Sequence, residues 1–262
     1  MKKIKVGIIG GTNGMGRWFA RLLKNEGCTV HVCGRKTKLQ INDLARLCNV
    51  VVVAVPISAT ADIIKQVGPQ LAKDALLMDL TSFKYEPIKL MLANSKAEVI
   101  GCHPLFGPAL KDVFGQNVIL CPARGTSWLP WLKSVFKKNK LAVLESTPEK
   151  HDKMMAIVQV LNHLNTIILG MAIAETDIPL AEINKFSTPI FKTKLEIIKK
   201  VFTESPELYA DIITGNPQTG KMLDIYEKKL TDIRQTINSG GGTKLKEAIE
   251  KAAKKLYGRK NK

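Results

Sequence analysis

Hydrophobic residues in the first part of the chain form short, nearly continuous runs separated by amphipathic stretches. Runs rich in Val, Ile and Leu are typical of parallel strands that are covered on both faces. The amphipathic stretches, such as Met15–Asn25 and Ser58–Leu71, predict the covering helices. This alternation predicts an α/β fold with a doubly wound parallel sheet. The candidate strands are Lys5–Ile9, Val30–Gly34, Val50–Val55, Ala75–Asp79, Val99–Cys102, Asn117–Cys121 and Leu141–Leu144.

The pattern changes after residue 145. Ser146 and Glu149 have the spacing of a capping box, with Pro148 in the first turn, so a helix is predicted to start here. From this point apolar residues recur at helical spacing only, with breaks at Pro179, 205–206, 216–217 and 239–242. We therefore predict an α/β domain over residues 1–146 and an all-helical domain over residues 147–262. The helical segments are Met154–Ile173, Ile190–Phe202, Met222–Ile237 and Lys244–Leu256.

Composition narrows the class of protein. The chain has 262 residues, of which 45% are hydrophobic, which is enough for a packed core. No apolar run reaches the roughly 18 to 20 residues that span a bilayer, and the N-terminus lacks a signal-peptide pattern. The five cysteines contain no CxxC pair and lie in apolar segments, so we expect reduced thiols and no metal site. We therefore expect a soluble, cytoplasmic protein without membrane association.

The charge favours anionic partners. Forty Lys and Arg residues against 23 Asp and Glu give a net charge of +17. Residues 244–262 alone carry eight basic and two acidic residues, which is typical of a solvated, lysine-rich helix end. Because the sequence contains no base-reading module, a nucleic-acid partner is not expected. A small anionic ligand would also be attracted by this charge.

The first strand leads into a glycine-rich turn, Gly10-Gly-Thr-Asn-Gly-Met-Gly16, and then into an amphipathic helix. Glycines let the backbone approach a phosphate, and the helix N-terminus offers free N–H groups and a positive dipole. Asn13 takes the place of the middle glycine of the G-x-G-x-x-G pattern, which Asn tolerates because it can adopt a left-handed backbone. The turn therefore predicts a Rossmann-type dinucleotide site with contacts from Gly10, Thr12, Asn13, Gly14 and Met15, together with Val55 and Pro56 after the third strand.

The end of the second strand indicates which dinucleotide is bound. An acidic residue here would accept hydrogen bonds from the adenosine 2′-hydroxyl group. The chain has Arg35 and Lys36 instead, and the next carboxylate is Asp43. Two cations suit a 2′-phosphate, and the planar Arg fork suits it best. NADP is therefore favoured over NAD, while a solvated Arg35 would leave NAD open.

Two motifs follow the ends of later strands. Met78-Asp79-Leu-Thr-Ser82-Phe-Lys84 ends the fourth strand, and Gly101-Cys-His103-Pro-Leu-Phe-Gly-Pro108 ends the fifth. In an open parallel sheet, ligands bind beyond the carboxyl ends of the strands. Both motifs are therefore expected to place polar side chains where the nicotinamide would lie.

These motifs resemble the prephenate/arogenate dehydrogenase family of tyrosine biosynthesis. The similarity extends over nearly the whole chain, through His151-Asp152, His163, 187–190 and 207–212. The chain is similar to the monofunctional members, so we expect no fused chorismate mutase. The resemblance implies a Rossmann-type domain followed by a helical dimerisation domain, and hence a homodimer.

The resemblance also implies the reaction and the residues. Family members oxidise a cyclohexadienol by transferring hydride from the ring carbinol carbon to the nicotinamide, while the ring carboxylate leaves as carbon dioxide. By resemblance His103 is the catalytic residue that takes or holds the carbinol proton, a task suited to imidazole. Ser82 would orient His103 or bond the same hydroxyl group, and Lys84 would steady anionic groups. His163 and Tyr209 would line the substrate pocket.

One departure concerns the substrate. Relatives use an Arg to hold the ring carboxylate, whereas this chain has Lys192 and Lys200, of which Lys200 is the matching residue. Lysine keeps the charge but loses the bidentate fork. The alternatives are a related Rossmann oxidoreductase with a different small anionic substrate and a non-enzymatic dinucleotide-binding protein. Nothing in the sequence distinguishes the pyruvyl side chain of prephenate from the alanyl side chain of arogenate.

Overall fold

The computed structural model describes residues 3–258 and contains a seven-stranded sheet in the order β2-β1-β3-β4-β5-β6-β7. All seven predicted strands are present, with small shifts at their ends. Strands β1 to β5 are mutually parallel, and β7 is parallel to β6. The strands are β1 (Lys5–Ile9), β2 (Thr29–Cys33), β3 (Val50–Val53), β4 (Leu76–Asp79), β5 (Glu98–Pro104), β6 (Asn117–Arg124) and β7 (Ala142–Glu145).

One strand pair departs from the predicted parallel sheet: β6 runs antiparallel to β5. The connection over residues 105–116 contains no helix, whereas a parallel return requires a crossover that is usually helical. The chain therefore turns back beside β5. A helix between β6 and β7 then restores a parallel connection.

Helices cover both faces of the sheet and form two apolar cores. Helices α1 and α5 pack on one face, where Phe19 and Phe136 are fully buried against alternate strand residues such as Ile8. Helices α2, α3 and α4 pack on the other face, where Leu44 and Ile64 are fully buried. The helices are α1 (Gly14–Asn25), α2 (Ile41–Leu47), α3 (Ile57–Val67), α4 (Tyr85–Asn94) and α5 (Leu129–Lys138).

The helical part starts one residue later than the sequence predicted. Thr147, and not Ser146, is the N-cap, because its side chain accepts a hydrogen bond from the backbone N–H of Lys150. The predicted capping box of Ser146 and Glu149 is therefore wrong. The elements are α6 (Pro148–Met155), a π-helical segment (Ala156–Leu161), α7 (Asn162–Ala174), α8 (Leu180–Lys185), α9 (Pro189–Thr203), α10 (Pro206–Gly215) and α11 (Thr219–Tyr257).

The continuous helical run Pro148–Ala174 is 27 residues long, and its most apolar window has a mean hydropathy of 1.6 and is 17% buried. By length and composition alone this helix could cross a membrane, although no uninterrupted apolar run in it reaches that length. The apolar stretch is interrupted by Gln159, Asn162, His163 and Asn165. His151 and Asp152 are buried in the protein.

Residues fall into two compact units, Met1–Pro217 and Gln218–Lys262. The first unit holds the sheet together with α6 to α10, so the predicted domain boundary at 146/147 lies inside it, in the turn before α6. The second unit holds α11. The predicted break at 239–242 does not end α11, although Gly241 has a φ of +66° and so departs from helical geometry.

Candidate active site

The glycine turn joins β1 to α1 and leaves the start of the helix open. Gly10 and Gly14 have φ values of +86° and +53°, in the left-handed region that favours glycine. Asn13 has a φ of −138° and is extended, so the expectation that Asn13 adopts the left-handed conformation is wrong. Its side chain does not cap α1, and the first turn has no acidic residue. The N–H groups of this turn therefore remain available to an anion.

Close backbone packing explains the glycines on either side of the turn. A Cβ atom on Gly10 would lie 2.4 Å from the carbonyl oxygen of Ala54, and one on Gly16 would lie 2.5 Å from the carbonyl oxygen of Gly10. The turn is thus pressed against the end of β3. Thr12 and Asn13 are exposed between these contacts, and Met15 is half-buried. This cradle fits the phosphates of a dinucleotide.

The loop after β2 lies against the glycine turn. A Cβ atom on Gly34 would lie 3.1 Å from the side chain of Thr12. The Thr37 hydroxyl accepts a hydrogen bond from the Gly34 N–H, 2.9 Å away, and also contacts the Gly34 carbonyl oxygen at 2.9 Å. These bonds close the loop, so that Arg35 and Lys36 stand exposed at its tip. Two cations therefore lie beside the predicted phosphate cradle.

The segment after β3 completes this side of the site. Val55 is half-buried and Pro56 is exposed, immediately before α3. The Ala54 N–H donates to the Ile9 carbonyl oxygen at 2.8 Å, which ties the end of β3 to the end of β1. Val55 and Pro56 thus follow the same edge of the sheet as the glycine turn.

A buried ion pair joins the ends of β4 and β5. Lys84 and Asp79 are both fully buried and form a salt bridge, in which Thr81 also contacts the carboxylate. The Lys84 ammonium group donates to the carbonyl oxygen of Cys102 at 3.1 Å. The polar contacts of this ammonium group are therefore with protein atoms. Its evident effect is to hold the strand end that carries His103.

The carboxylate of Asp79 has one oxygen, Oδ1, that is buried and has no hydrogen-bond partner among the described residues. Gln159 Oε1, in the π-helical segment, is the other such atom in the part of the chain that the structure describes. A buried acceptor without a partner is costly to the folded state.

His103 is bonded to a second histidine. Its Nδ1 atom lies 2.9 Å from Nε2 of His151, and Nδ1 of His151 lies 2.7 Å from Oδ1 of Asp152. All three residues are buried, and His103 is 4% exposed. Burial, and then the neighbouring His151 and Lys84, hold the pKa of His103 well below its usual value. These surroundings favour the neutral imidazole, which has one ring nitrogen with a lone pair that can accept a hydrogen bond.

Asp152 is fixed by the start of α4. The backbone N–H groups of Lys84 and Tyr85 donate to its carboxylate at 2.7 and 2.9 Å. Its own carbonyl oxygen accepts from Asn216 at 3.0 Å. The sequence analysis gave neither His151 nor Asp152 a catalytic role. The adjacent His-Asp pair was the signal that could have found them.

Ser82 lies in the loop between β4 and α4, two residues before Lys84, and is not part of this hydrogen-bonded group. The residue is half-buried, and its hydroxyl makes no hydrogen bond to the residues that the structure describes. In the structure, His151 holds the position next to His103 that the sequence assigned to Ser82. The Ser82 hydroxyl is therefore free to bond a ligand.

His163 and Tyr209 come together from α7 and α10. Their rings make an edge-to-face contact with centroids 4.7 Å apart, and burial lowers the pKa of His163. Lys192 and Lys200 on α9 are exposed. The structure thus brings two of the predicted substrate residues into contact and leaves the ammonium group of Lys200 in solvent.

An aromatic contact links the histidine loop to the glycine-turn helix. Phe106, three residues after His103, packs edge-to-face on Trp18 of α1 with ring centroids 5.0 Å apart. Since β1 to β5 are parallel, their carboxyl ends share one edge of the sheet. The phosphate cradle and His103 therefore lie at the same edge. Within residues 3–258 no group of three or more His, Cys, Asp or Glu side chains could hold a metal ion.

Comparison with known proteins is consistent with this geometry. The family model described as "Prephenate dehydrogenase, nucleotide-binding domain" matches residues 19–145. The model described as "Prephenate dehydrogenase, dimerization domain" matches residues 147–251. Together the two models match well over half of the chain.

Among curated proteins, a probable arogenate/prephenate dehydrogenase of Methanocaldococcus jannaschii is 35% identical over 96% of this chain and 60% of its own length. A T-protein of Enterobacter agglomerans is 30% identical over 89% of this chain and 62% of its own. The chain spans about three fifths of the length of these relatives.

Solved structures show the same fold. Prephenate dehydrogenase from Aquifex aeolicus, crystallised with hydroxyphenyl propionate and NAD+, has a TM-score of 0.77 at 22% identity and covers 97% of this chain and 98% of its own. Arogenate dehydrogenase from Synechocystis has a TM-score of 0.74 at 19% identity, covering 96% and 98%. On the two family models and the curated relatives, the chain belongs to the prephenate dehydrogenase family.

Proposed function

We propose that the protein is a prephenate or arogenate dehydrogenase that acts in tyrosine biosynthesis. The observation that carries the proposal is the buried His103, which is bonded to His151 at the same edge of the sheet as the glycine cradle. A proton acceptor beside a dinucleotide site is what oxidation of an alcohol carbon requires. The choice of substrate is supported by the relative from Methanocaldococcus jannaschii, which is named a probable arogenate/prephenate dehydrogenase.

Held by the glycine turn Gly10–Gly16, a dinucleotide would supply the hydride acceptor for the ring carbinol carbon of the substrate. His103 would take the proton of the carbinol hydroxyl group as positive charge develops on that oxygen. As the ring carboxylate leaves as carbon dioxide, its electron pair enters the ring and makes it aromatic. The proton returns to the phenol oxygen, so the products are the 4-hydroxyphenyl compound, carbon dioxide and the reduced dinucleotide. Ser82, free of other partners, would donate to or accept from the same hydroxyl group.

The remaining polar residues would hold the substrate. His163 and Tyr209 form one wall through their ring contact, and Lys200 would supply the positive charge for a substrate carboxylate. Lys84 would act through the Cys102 carbonyl oxygen, by holding the strand end at His103. A cationic protein attracts a substrate with more than one carboxylate.

NADP is the proposed cofactor, with NAD as the alternative. Gly10, Thr12, Asn13, Gly14 and Met15 would surround the pyrophosphate, and Val55 and Pro56 would line the adjoining edge. Support comes from the exposed pair Arg35 and Lys36 beside the cradle, where a 2′-phosphate would lie.

We further propose a cytoplasmic homodimer formed through the helical part. The helical run of residues 148–174 is apolar and mostly unburied in one copy, and the family model for this part is described as a dimerization domain. A second copy would cover that surface. The exposed apolar residues are Met154, Ile157, Val158, Ile168 and Met171.

One observation favours an alternative substrate. Lysine stands at residues 192 and 200, where an arginine is expected to hold the ring carboxylate. A related cyclohexadienol, or another small anionic alcohol, is therefore the alternative substrate.

Initial rates of nicotinamide reduction test the proposal. The purified chain is offered prephenate and arogenate, each with NADP and with NAD. We expect turnover with at least one substrate and a higher kcat/KM with NADP. Absence of turnover in all four combinations, with dinucleotide binding shown by a separate titration, would contradict the proposed activity and favour the alternatives.

A further inference from the structure

The hydrogen bonds behind His103 determine which of its ring nitrogens carries the proton. Asp152 accepts backbone N–H groups on both carboxylate oxygens, from Lys84 on Oδ1 and from Tyr85 on Oδ2. A carboxylate held in this way is an acceptor toward its remaining partner as well. Nδ1 of His151, 2.7 Å from Oδ1, is therefore the donor of that bond.

The protonated nitrogen of His151 then determines the protonated nitrogen of His103. A neutral imidazole carries one N–H, so a protonated Nδ1 on His151 leaves its Nε2 as an acceptor. Nδ1 of His103 lies 2.9 Å from that Nε2 and must donate to it. The lone pair of His103 is consequently on Nε2. No described residue forms a hydrogen bond to this atom.

The surroundings disfavour a charged alternative. If His151 were an imidazolium, its Nε2–H would donate to His103, and the lone pair of His103 would face the protein. Both rings are almost completely buried, and the charge of the buried Lys84 is paired with Asp79. Burial opposes a charge on either ring, and the Asp152 carboxylate, which would favour an imidazolium, already accepts two backbone N–H bonds.

We infer that His151 and Asp152 are positioning residues that hold His103 in the tautomer with the proton on Nδ1, so that Nε2 faces the reactant as the proton acceptor. The role given to Nε2 rests on the proposed function. The tautomer is a property of the protein alone. The three segments that set it are the end of β5, the start of α6 and the start of α4, which are far apart in the sequence.

The direct test is a long-range ¹H–¹⁵N correlation spectrum of the full chain, labelled with ¹⁵N-histidine, near pH 7.5. The chain has four histidines, so single substitutions assign every ring. We expect His103 and His151 to be neutral, with protonated Nδ1 and unprotonated Nε2. A proton on Nε2 of His103, or a doubly protonated His151, would overturn the inference.

Asp152→Asn tests whether the carboxylate sets the tautomer. An amide has one accepting and one donating end, so its NH2 group can face Nδ1 of His151 and reverse both rings. An equivalent change in a serine protease triad lowers kcat by about 10⁴-fold. Here we expect the proton of His103 to move to Nε2 and kcat to fall about 100-fold or more, with the KM for dinucleotide unchanged. An unchanged tautomer of His103 in the folded variant would contradict the inference.

His151→Gln and His151→Leu form a matched pair. Glutamine retains an oxygen that can accept from Nδ1 of His103, whereas leucine fills the space without an acceptor. We expect the Gln variant to keep a kcat about tenfold or more above that of the Leu variant. Equal losses in both, with the wild-type tautomer of His103 retained, would mean that His151 has a packing role only. His31→Gln, on the half-buried strand β2, is the control that changes neither kcat nor the spectrum of His103.

The outcomes separate the inference from the proposed function. Turnover by a wild-type protein whose His103 carries its proton on Nε2 would contradict the inference and support the function. The expected tautomer without turnover of prephenate or arogenate would support the inference and contradict the function. The spectrum of the wild-type protein decides the inference even if a variant fails to fold.

Discussion

The glycine turn and the histidine group lie at the same edge of the sheet but are built in opposite ways. The turn offers exposed backbone from one continuous segment. Its glycines contribute by having no side chain, because a Cβ atom at Gly10 or Gly16 would clash with neighbouring backbone atoms. The histidine group consists of buried side chains from three separate segments that bond to one another. The difference indicates a division of work: the turn binds an anion through N–H groups, and the histidine group carries out proton chemistry away from water.

The largest effect on activity is expected from a substitution that changes the histidine group and leaves the glycine turn unchanged. His103→Ala removes the proton acceptor and leaves the glycine turn intact. We expect kcat to fall by about 100-fold or more while the Kd for dinucleotide stays the same. Steady-state rates and a fluorescence titration of the reduced dinucleotide measure the two quantities. Near-normal turnover would show that His103 is not the catalytic residue.

The next effect concerns the turn itself. Gly10→Ala places a Cβ atom 2.4 Å from the Ala54 carbonyl oxygen at a residue with a φ of +86°. We expect a loss of about 1–3 kcal/mol in the free energy of unfolding, together with weaker dinucleotide binding. Gly14→Ala is the control, because Gly14 has a positive φ but no atom within 4 Å of its Cβ position. Urea denaturation of both variants should show the larger loss for Gly10→Ala, and equal losses would contradict the packing argument.

Much of the turn was predictable from sequence because strand, turn and helix are contiguous. The left-handed residues were not assigned correctly: glycines, rather than Asn13, adopt that conformation. The histidine group depends on contacts between residues 48 and 68 positions apart. Sequence periodicity carries no information at that range, so His103 was identified by its motif and His151 received no role. For the same reason, the antiparallel direction of β6 was not predicted.

A smaller effect is expected at the tip of the loop after β2. Arg35→Ala removes an exposed guanidinium group beside the phosphate cradle. If it binds the 2′-phosphate, the KM for NADP should rise about tenfold while the KM for NAD is unchanged. Lys38→Ala, an exposed cation in the same loop, controls for the general loss of charge. If Arg35→Ala raised the KM for NADP and the KM for NAD by the same factor, the proposed contact of Arg35 with the 2′-phosphate would be contradicted.

The smallest effect is on the pH dependence of stability. The pKa of His103 is lower in the folded protein than in the unfolded chain, so below about pH 6.5 the unfolded chain binds a proton that the folded protein does not. Stability contributed by the neutral ring is present above that pH and is lost as the pH falls toward the folded pKa. The slope is at most about 1.4 kcal/mol per pH unit for this one proton. Urea midpoints between pH 7.5 and 5.5 should fall less steeply for His103→Asn than for the wild type, and identical slopes would contradict the lowered pKa.

The central claim is that the exposed turn and the buried histidines serve one reaction. Its most direct test is the ratio of carbon dioxide released to nicotinamide reduced, measured with substrate labelled in the ring carboxylate. We predict a ratio of one for the wild type, with both quantities lost together in His103→Ala. Nicotinamide reduction without carbon dioxide, or release of carbon dioxide without reduction, would contradict the claim.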